Sequence, residues 1–160
     1  MFVLVGSVAR ADDGAEGKQC AAAADQIVEL VDEKKVDQLA GWFAGNVLEP
    51  PEYFRTWLTT LLREYGHLSD TKVDPEIKLE DFTELGMKSK DLEEPFEIYK
   101  YRTHYHHEGD GIIYVRLARV DGRCKIDYLV FGLPRSSPNA LQRYYEIQSH
   151  IDDEMAAIFR

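Results

Sequence analysis

The spacing of apolar residues divides the chain into a helical first part and a second part dominated by strands. Between Gln19 and Lys34 apolar side chains recur every three or four residues, which predicts an amphipathic helix. A second, short helix is expected through Phe43, ending at the Gly45-Asn46 pair. The Pro50-Pro51 pair opens a third helix with a wide apolar stripe, and Gly66 is a good stop for it.

From Leu68 onward the apolar period changes to two, which is typical of strands. Ile77, Leu79 and Leu85 predict a first strand, with a bulge near Phe82. Polar residues 86–94 are expected to form a loop. Three further strands are then predicted, over residues 96–107, 112–120 and 123–133.

The Asp121-Gly122 pair predicts a two-residue hairpin turn that sets Val120 opposite Arg123. With this register one face of the last two strands is almost wholly apolar, as a buried face should be. Its members are Ile113, Val115, Leu117, Cys124, Ile126, Tyr128 and Val130.

A three-residue loop at 109–111 would set Glu108 opposite Ile112. This register adds three tyrosines to the apolar face: Tyr99, Tyr101 and Tyr105. The opposite face would then carry Arg102, His104, His106, Tyr114, Arg116, Lys125, Asp127, Leu129 and Phe131.

Ser137 and Pro138 are expected to cap a last helix that runs to about Ile158. Its apolar stripe is predicted to be Leu141, Tyr144, Tyr145, Ile151, Met155 and Ile158. The expected fold is therefore α+β, with N-terminal helices packed on a curved antiparallel sheet of about four strands, plus a C-terminal helix. Residues 19–160 are expected to form a single domain, because no linker is long enough to divide them.

The net charge of −10 argues against nucleic-acid binding, because such binding depends on Lys and Arg displacing counterions from phosphates. It also disfavours adsorption to anionic membranes. No segment approaches the length of a membrane span.

The first residues resemble the end of a secretory signal peptide. A short apolar run, residues 1–8, is followed by Ala9-Arg10-Ala11, a pattern that signal peptidase accepts. Residues 1–18 are thus expected to be a signal-peptide remnant and a polar leader, on a protein exported to the periplasm or the cell exterior. The alternative is a flexible tail on a cytosolic protein.

The chain has two cysteines, Cys20 and Cys124, which can form one disulfide in an oxidising compartment. Their spacing matches no zinc motif. The alternative is a pair of buried free thiols.

Three histidines and a glutamate lie within five positions: His104, His106, His107 and Glu108. On a strand His104 and His106 share a face, and with Glu108 they form an H-x-H-x-E set that can chelate a divalent metal. The more ordinary interpretation is a solvated face or pocket lining without metal or cofactor. A histidine acting as a general base or a pH-sensitive group is a third hypothesis.

The residues on the polar face can also form a ligand site. If helices cover that face, the cavity lining would be Arg102, His104, His106, Tyr114, Arg116 and Asp127. Asp127 with His104 or His106 could then transfer protons. The alternative is an ordinary surface ion pair between Arg and Asp.

Three segments resemble the nuclear transport factor 2-like (cystatin-like) superfamily: the helices from Cys20 to Phe43, the Leu-Arg-Glu-Tyr-Gly-His run at 62–67, and the final strand in DGRCKIDYLVFGLP. The resemblance covers residues 20–133 and implies helices packed on a curved sheet. It also implies either a non-catalytic binding module or an enzyme with its acid or base in the cone between helices and sheet. The long C-terminal helix departs from the superfamily pattern, which ends on the sheet.

Three hypotheses for function follow. The first is an exported, non-enzymatic module that binds a small ligand or a partner protein. The second is a small pocket enzyme of isomerase, cyclase or hydratase type that uses Asp127 or His104. The third is an acidic, chaperone-like interaction protein that forms a homodimer through its terminal helix.

Overall fold

The computed structural model describes residues 9–44, 51–83, 96–158 and 160. Its helices are α1 (Ala9–Asp32), α2 (Val36–Ala40), α3 (Pro51–Tyr65) and α4 (Ala140–Ile158). Its strands are β1 (Leu68–Val73), β2 (Glu97–Tyr105), β3 (Gly109–Val120) and β4 (Arg123–Gly132), and they form one antiparallel sheet in the order β1-β2-β3-β4. The predicted α+β fold, with helices before and after a four-stranded sheet, is confirmed.

The main core lies between the long helices and one face of the sheet, which we call the inner face. Helices α1, α3 and α4 each bury an apolar stripe against this face. Fully buried members include Ile27, Leu58, Tyr65, Tyr105, Ile113, Val115, Ile126 and Ile147. The other face of the sheet, the outer face, therefore has no long helix over it in the described part of the chain.

The helix ends follow local sequence chemistry. Helix α3 begins at Pro51, as predicted, and Gly66 ends it with φ +80° while its N–H donates to the Leu62 carbonyl at 3.0 Å. Helix α1 begins at Ala9, so residues 12–18, which were expected to form a polar leader, are part of this helix. Helix α2 ends at Ala40, and its predicted stop at residues 45–46 lies outside the described residues.

The predicted first strand is wrong. The first strand is β1, and the segment after it turns at Asp74, whose carboxylate accepts the Glu76 N–H at 3.0 Å. Leu79 opens a short 3₁₀ turn (Leu79–Asp81), and Leu85 lies outside the described residues. The alternating apolar residues cover the outer face instead of forming a strand: Ile77, Leu79 and Phe82 pack with Ile112 and Val130.

The turn between β2 and β3 lies three residues earlier than predicted. Tyr105 pairs with Gly109, so the turn consists of residues 106–108, and Gly109 follows it with φ +81°. The pairing of Glu108 with Ile112 is therefore wrong. The pairing of the two strands differs from the prediction by an even number of residues, so each side chain stays on its predicted face of the sheet. The inner position of Tyr101 and Tyr105 is confirmed.

A bulge in β4 makes the predicted faces wrong for the residues that follow it. The Asp121-Gly122 turn and the Val120–Arg123 pair are as predicted, with positive φ at both turn residues. The register then shifts between Arg116 and Leu117, which leaves Asp127 as the extra residue. Beyond the bulge the sides exchange: Leu129 and Phe131 lie in the main core, and Tyr128 and Val130 face outward.

The stripe of α4 also differs from the prediction. The helix begins at Ala140, after Asn139 with φ +60°, and buries Ala140, Ile147, Ile151 and Met155. Leu141 and Tyr145, predicted as core, are 46% and 53% exposed. The buried face of α4 packs mainly on α3, so this helix completes the inner layer.

Candidate functional site

A cleft of about 780 Å³ opens on the outer face, where β1 and β2 meet the segments around residues 80–82 and 134–136. Its cationic lining consists of Lys72, Arg102 and Arg135, together with His104. Its carboxylates are Asp70, Glu80, Asp81 and Asp110. Side chains of both charges converge on a concave surface whose volume is in the range of small-molecule sites, although its lining is more polar than is usual for them. We call this the outer cleft.

A bulge in β1 shapes the outer cleft. The pairing of β1 with β2 shifts between Ser69 and Lys72, and Asp70 there has a left-handed φ of +51°. Continuing the Ser69–His104 register would set Lys72 opposite Tyr101, on the inner face. The bulge sets it opposite Arg102 instead, on the face of the cleft.

His104 is held from one side by Asp110. The two residues are cross-strand partners, and the Nδ1 of His104 lies 3.0 Å from the Oδ1 of Asp110. The side chain of His104 is 50% exposed. Because Nδ1 contacts the carboxylate, Nε2 is the ring nitrogen left for a ligand in the outer cleft.

Arg102 is likewise oriented by a carboxylate outside the lining of the outer cleft. Its Nε donates to the Oδ2 of Asp74, and this hydrogen bond holds the pKa of Asp74 below its ordinary value of 3.8. The Arg102 side chain is 66% exposed. An ion pair this exposed contributes little to stability, but it does direct the guanidinium.

The other predicted ligand residues lie elsewhere on the outer face. Arg116 donates from Nε to the Oδ2 of Asp127 at 2.6 Å, and its guanidinium stacks 4.5 Å from the Phe96 ring centre and 5.4 Å from that of Tyr128. Tyr114 is fully buried. The predicted set is therefore divided: the structure brings Arg102 and His104 into the outer cleft, and it places Arg116, Tyr114 and Asp127 outside its lining.

The residues proposed as metal ligands are not brought together. His106 lies in the turn, where it stacks on His67 with ring centres 4.4 Å apart. Glu108 accepts a hydrogen bond from Nε of Arg143 at 2.6 Å, and its side chain is only 10% exposed. Within the residues that the structure describes, no group of three His, Cys, Asp or Glu side chains is placed to hold a metal ion.

The turn histidines instead connect the β2–β3 turn to the end of α3 through backbone hydrogen bonds. The N–H of His106 donates to the His67 carbonyl at 2.9 Å, and that of His107 donates to the Tyr65 carbonyl at 3.1 Å. A side chain on Gly66 would meet the His107 ring at 2.6 Å. The cluster of histidines is therefore part of a packed junction between two turns.

Arg143 forms an ion-pair network that the sequence did not predict. It bridges Glu108 and Glu64, with Nη2 of Arg143 3.0 Å from Oε2 of Glu64. His150 also contacts Glu64, at 3.1 Å. Burial alone would raise the pKa of Glu64, but the hydrogen bonds from Arg143 and His150 outweigh it and lower the pKa. The members come from α3, α4 and the β2–β3 turn, so no local sequence pattern could have indicated them.

A second concavity, of about 620 Å³, lies between α1 and the β1 edge. Asp25, Glu29 and Asp32 line it from one face of α1. Two of them have defined structural partners. Asp25 accepts from the hydroxyl of Tyr101 at 2.8 Å, and Asp32 accepts from the N–H of Leu68 at 3.1 Å. These carboxylates thus tie α1 to the open edge of the sheet.

The cone between helices and sheet holds no acid–base candidate among those predicted. The inner space is filled by the main core, including Tyr65, Tyr105 and Phe131, whose rings contact one another. His104 and Asp127 lie on the opposite face of the sheet. Proton-transfer chemistry by these two residues inside the cone is therefore not supported.

The two cysteines are joined. Cys20 of α1 and Cys124 of β4 form a disulfide with their Cα atoms 5.6 Å apart. Cys20 is 1% exposed, so the bridge lies at the margin of the main core. It links α1 to the far edge of the sheet.

Comparisons with known proteins provide no relative: no family model, curated protein or solved structure matches the chain. In the described part of the chain, no helix has the length and apolar character needed to cross a bilayer.

Proposed function

We propose that this protein is an exported, non-enzymatic module that binds a small polar ligand in the outer cleft. One observation carries the proposal: the outer cleft gathers cationic, anionic and imidazole side chains from β1, β2, β3 and two connecting segments. Such convergence in a concavity of about 780 Å³ fits a small polar molecule. The superfamily proposal agrees with it, since that superfamily contains many non-catalytic binding modules.

Export is supported by the disulfide and by the small-x-small pattern at residues 9–11. A disulfide between sites 104 residues apart in sequence persists in oxidising compartments and is rare in the cytosol. The test is to produce the chain from Asp12 in two compartments of a bacterial host: in the reducing cytosol, and in the periplasm behind a complete secretory signal peptide. Folded, oxidised protein is expected mainly from the periplasm, and an equal yield of folded, reduced protein from the cytosol would contradict export.

Ligand binding is tested by a thermal-shift survey of small polar metabolites, because a molecule that binds only the native state raises the melting temperature. Three proteins are compared: wild type, Ser136→Trp and Ser149→Trp. Ser136 lines the outer cleft, so a bulky ring there should block it. Ser149 is exposed on α4, outside the lining, and serves as the matched control.

A ligand that stabilises wild type and Ser149→Trp but not Ser136→Trp would support the proposal. Equal stabilisation of all three proteins would place the ligand elsewhere. A survey without any stabilising compound would contradict the proposal.

A second candidate, an acid–base enzyme at the outer cleft, is favoured by the contact between His104 and Asp110. A carboxylate on Nδ1 orients the imidazole so that Nε2 can accept a proton from a bound substrate. The test is to incubate each ligand from the survey with wild type and with His104→Gln. Conversion by wild type only would favour the enzyme, and unchanged ligand would favour the binding module.

A further inference from the structure

We propose that the outer cleft is specific for a small organic anion, with its carboxylate or phosphate group held between Lys72 and Arg102. The inference rests on the proposed function and names the ligand class for the same cleft. The ligand would also carry hydroxyl or amino groups, because the rest of the lining is rich in hydrogen-bond acceptors.

The first argument is the position of the two cations. Lys72 and Arg102 are directly opposite each other on neighbouring strands, and both line the outer cleft. Like charges at directly opposite positions repel and destabilise a sheet. An anion between them would convert this repulsion into two favourable contacts, and bidentate guanidinium geometry suits both carboxylate and phosphate.

The second argument is that the two cations are unequally compensated. Arg102 has Asp74 as its partner, and that contact uses Nε. No side chain within hydrogen-bond or ion-pair distance of the Lys72 ammonium is found among the residues that the structure describes, although Asp70 and Glu80 line the same cleft. The positive charge of Lys72 is therefore available to a ligand.

The third argument is the backbone that places Lys72. The bulge places Asp70 at φ +51°, a left-handed conformation that aspartate adopts more readily than most residues with a side chain. The same bulge turns Lys72 from the inner to the outer face. Bulges frequently lie beside binding sites, where they redirect a side chain.

The remaining lining defines the rest of the ligand. Glu80, Asp81 and Asp110 provide carboxylate oxygens that accept hydrogen bonds, and His104 can donate or accept through Nε2. Because Asp110 already contacts Nδ1 of His104, donor groups of the ligand would contact mainly Glu80 and Asp81. A hydroxy acid, an amino acid or a sugar phosphate has both an anionic group for Lys72 and Arg102 and donor groups for the carboxylates.

The test is isothermal titration calorimetry at low salt with three probes: L-malate, glucose 6-phosphate and glucose. The first two separate a carboxylate ligand from a phosphate ligand, and glucose lacks the anionic group. The proteins are wild type, Lys72→Gln and Lys35→Gln. Lys35 is an exposed lysine in the α1–α2 connection, so its substitution changes the net charge equally without touching the outer cleft.

At least one anionic probe should bind both wild type and Lys35→Gln. Its dissociation constant for Lys72→Gln should be higher by a factor of about ten or more. Added sodium chloride should weaken binding. The unliganded Lys72→Gln protein should melt at the same temperature as wild type or higher, because a repulsion is removed. A lower melting temperature, or equal anion affinity for both lysine variants, would overturn the proposal.

The two proposals fail in different ways. If glucose or a small polyamine binds the outer cleft and neither anion does, the anion proposal is wrong and the binding module stands. If no compound in the survey stabilises wild type and loses this effect in Ser136→Trp, both proposals fail.

Discussion

Two glycines at the start of β3 show how differently single residues can be required by the fold. Gly109 needs its positive φ of +81°, but a Cβ there would meet nothing within 4 Å. Gly111 needs its lack of a side chain, because an added Cβ would lie 2.6 Å from the Gly132 carbonyl oxygen and would also collide with the Tyr105 ring. The sequence shows both glycines but does not distinguish these reasons.

We expect Gly111→Ala to lower the free energy of unfolding by about 2–3 kcal/mol, because the neighbouring backbone of β4 cannot move aside without breaking the sheet. Gly109→Ala should cost about 1–2 kcal/mol, which is the price of a left-handed conformation for alanine. Urea unfolding followed by circular dichroism measures both. A smaller loss for Gly111→Ala than for Gly109→Ala would contradict the packing argument.

Substitution of Arg143 should lower the free energy of unfolding, because it leaves two largely buried carboxylates without their cationic partner. Arg143→Met removes the partner of Glu108 and Glu64, whose side chains are only 10% and 15% exposed, so we expect a loss of about 1–3 kcal/mol at pH 7. Arg55→Met is the matched control, since its pair with Asp37 lies outside the network, is 62% and 75% exposed, and should contribute less than about 0.5 kcal/mol. Chemical unfolding of the three proteins gives the comparison.

Acid should reduce the difference between wild type and Arg143→Met. The pKa of Glu64 is lowered in the folded protein, so the stability it contributes is present above its ordinary value of 4.5 and is lost as the pH falls through the folded value. Without Arg143, only His150 opposes the effect of burial on the pKa of Glu64, so this contribution becomes smaller. A difference that is unchanged between pH 7 and pH 3 would show that the network does not act through the ionised carboxylate.

At the scale of elements, the turn and the helix end that depend on adjacent residues were predicted correctly from the sequence. The positive φ values at Asp121 and Gly122 are those of the hairpin turn that this pair specifies, and Gly66 ends α3 as expected. The bulges near Asp70 and Asp127 appear in the structure as shifts of register between neighbouring strands, and no local sequence pattern marks them. This is why Arg102 and His104 could be predicted to share the outer face, while the places of Lys72 and Asp70 in the outer cleft could not.

The disulfide is the strongest single link between elements. Replacing both Cys20 and Cys124 by Ala should lower the free energy of unfolding by about 3–5 kcal/mol, because the bridge closes a loop of 104 residues in the unfolded chain. Reduction of wild type with dithiothreitol should give a similar loss. Equal urea midpoints for the oxidised protein and the double variant would mean that the bridge does not constrain unfolding.

At the scale of the whole molecule, one face of the sheet carries the main core and the other face carries the outer cleft. The inner face is covered by α1, α3 and α4 and filled by the main core, and the outer face carries the outer cleft over a thin covering segment. This division explains why the predicted polar face was correct for Arg102 and His104, although no long helix covers that face in the part of the chain that the structure describes.

Alkaline titration tests the main core as a unit. Burial raises the pKa of Tyr65, Tyr99, Tyr101 and Tyr105 well above their ordinary value of 10.0, and carboxylates beside Tyr99 and Tyr101 add to the effect. A group whose folded pKa is raised binds its proton more tightly in the native state, so stability is full below pH 10 and falls as the pH rises beyond it. These four residues should therefore ionise only as the protein unfolds.

The measurement combines absorbance at 295 nm, which reports phenolate, with far-ultraviolet circular dichroism over the same pH range. At least four of the nine tyrosines should ionise in one cooperative step that coincides with loss of the sheet signal. In urea all nine should titrate together near 10.0, which is the internal control. Full ionisation before any change in the sheet signal would mean that solvent reaches these side chains in the native state, and the tightly packed core between helices and sheet would then be wrong.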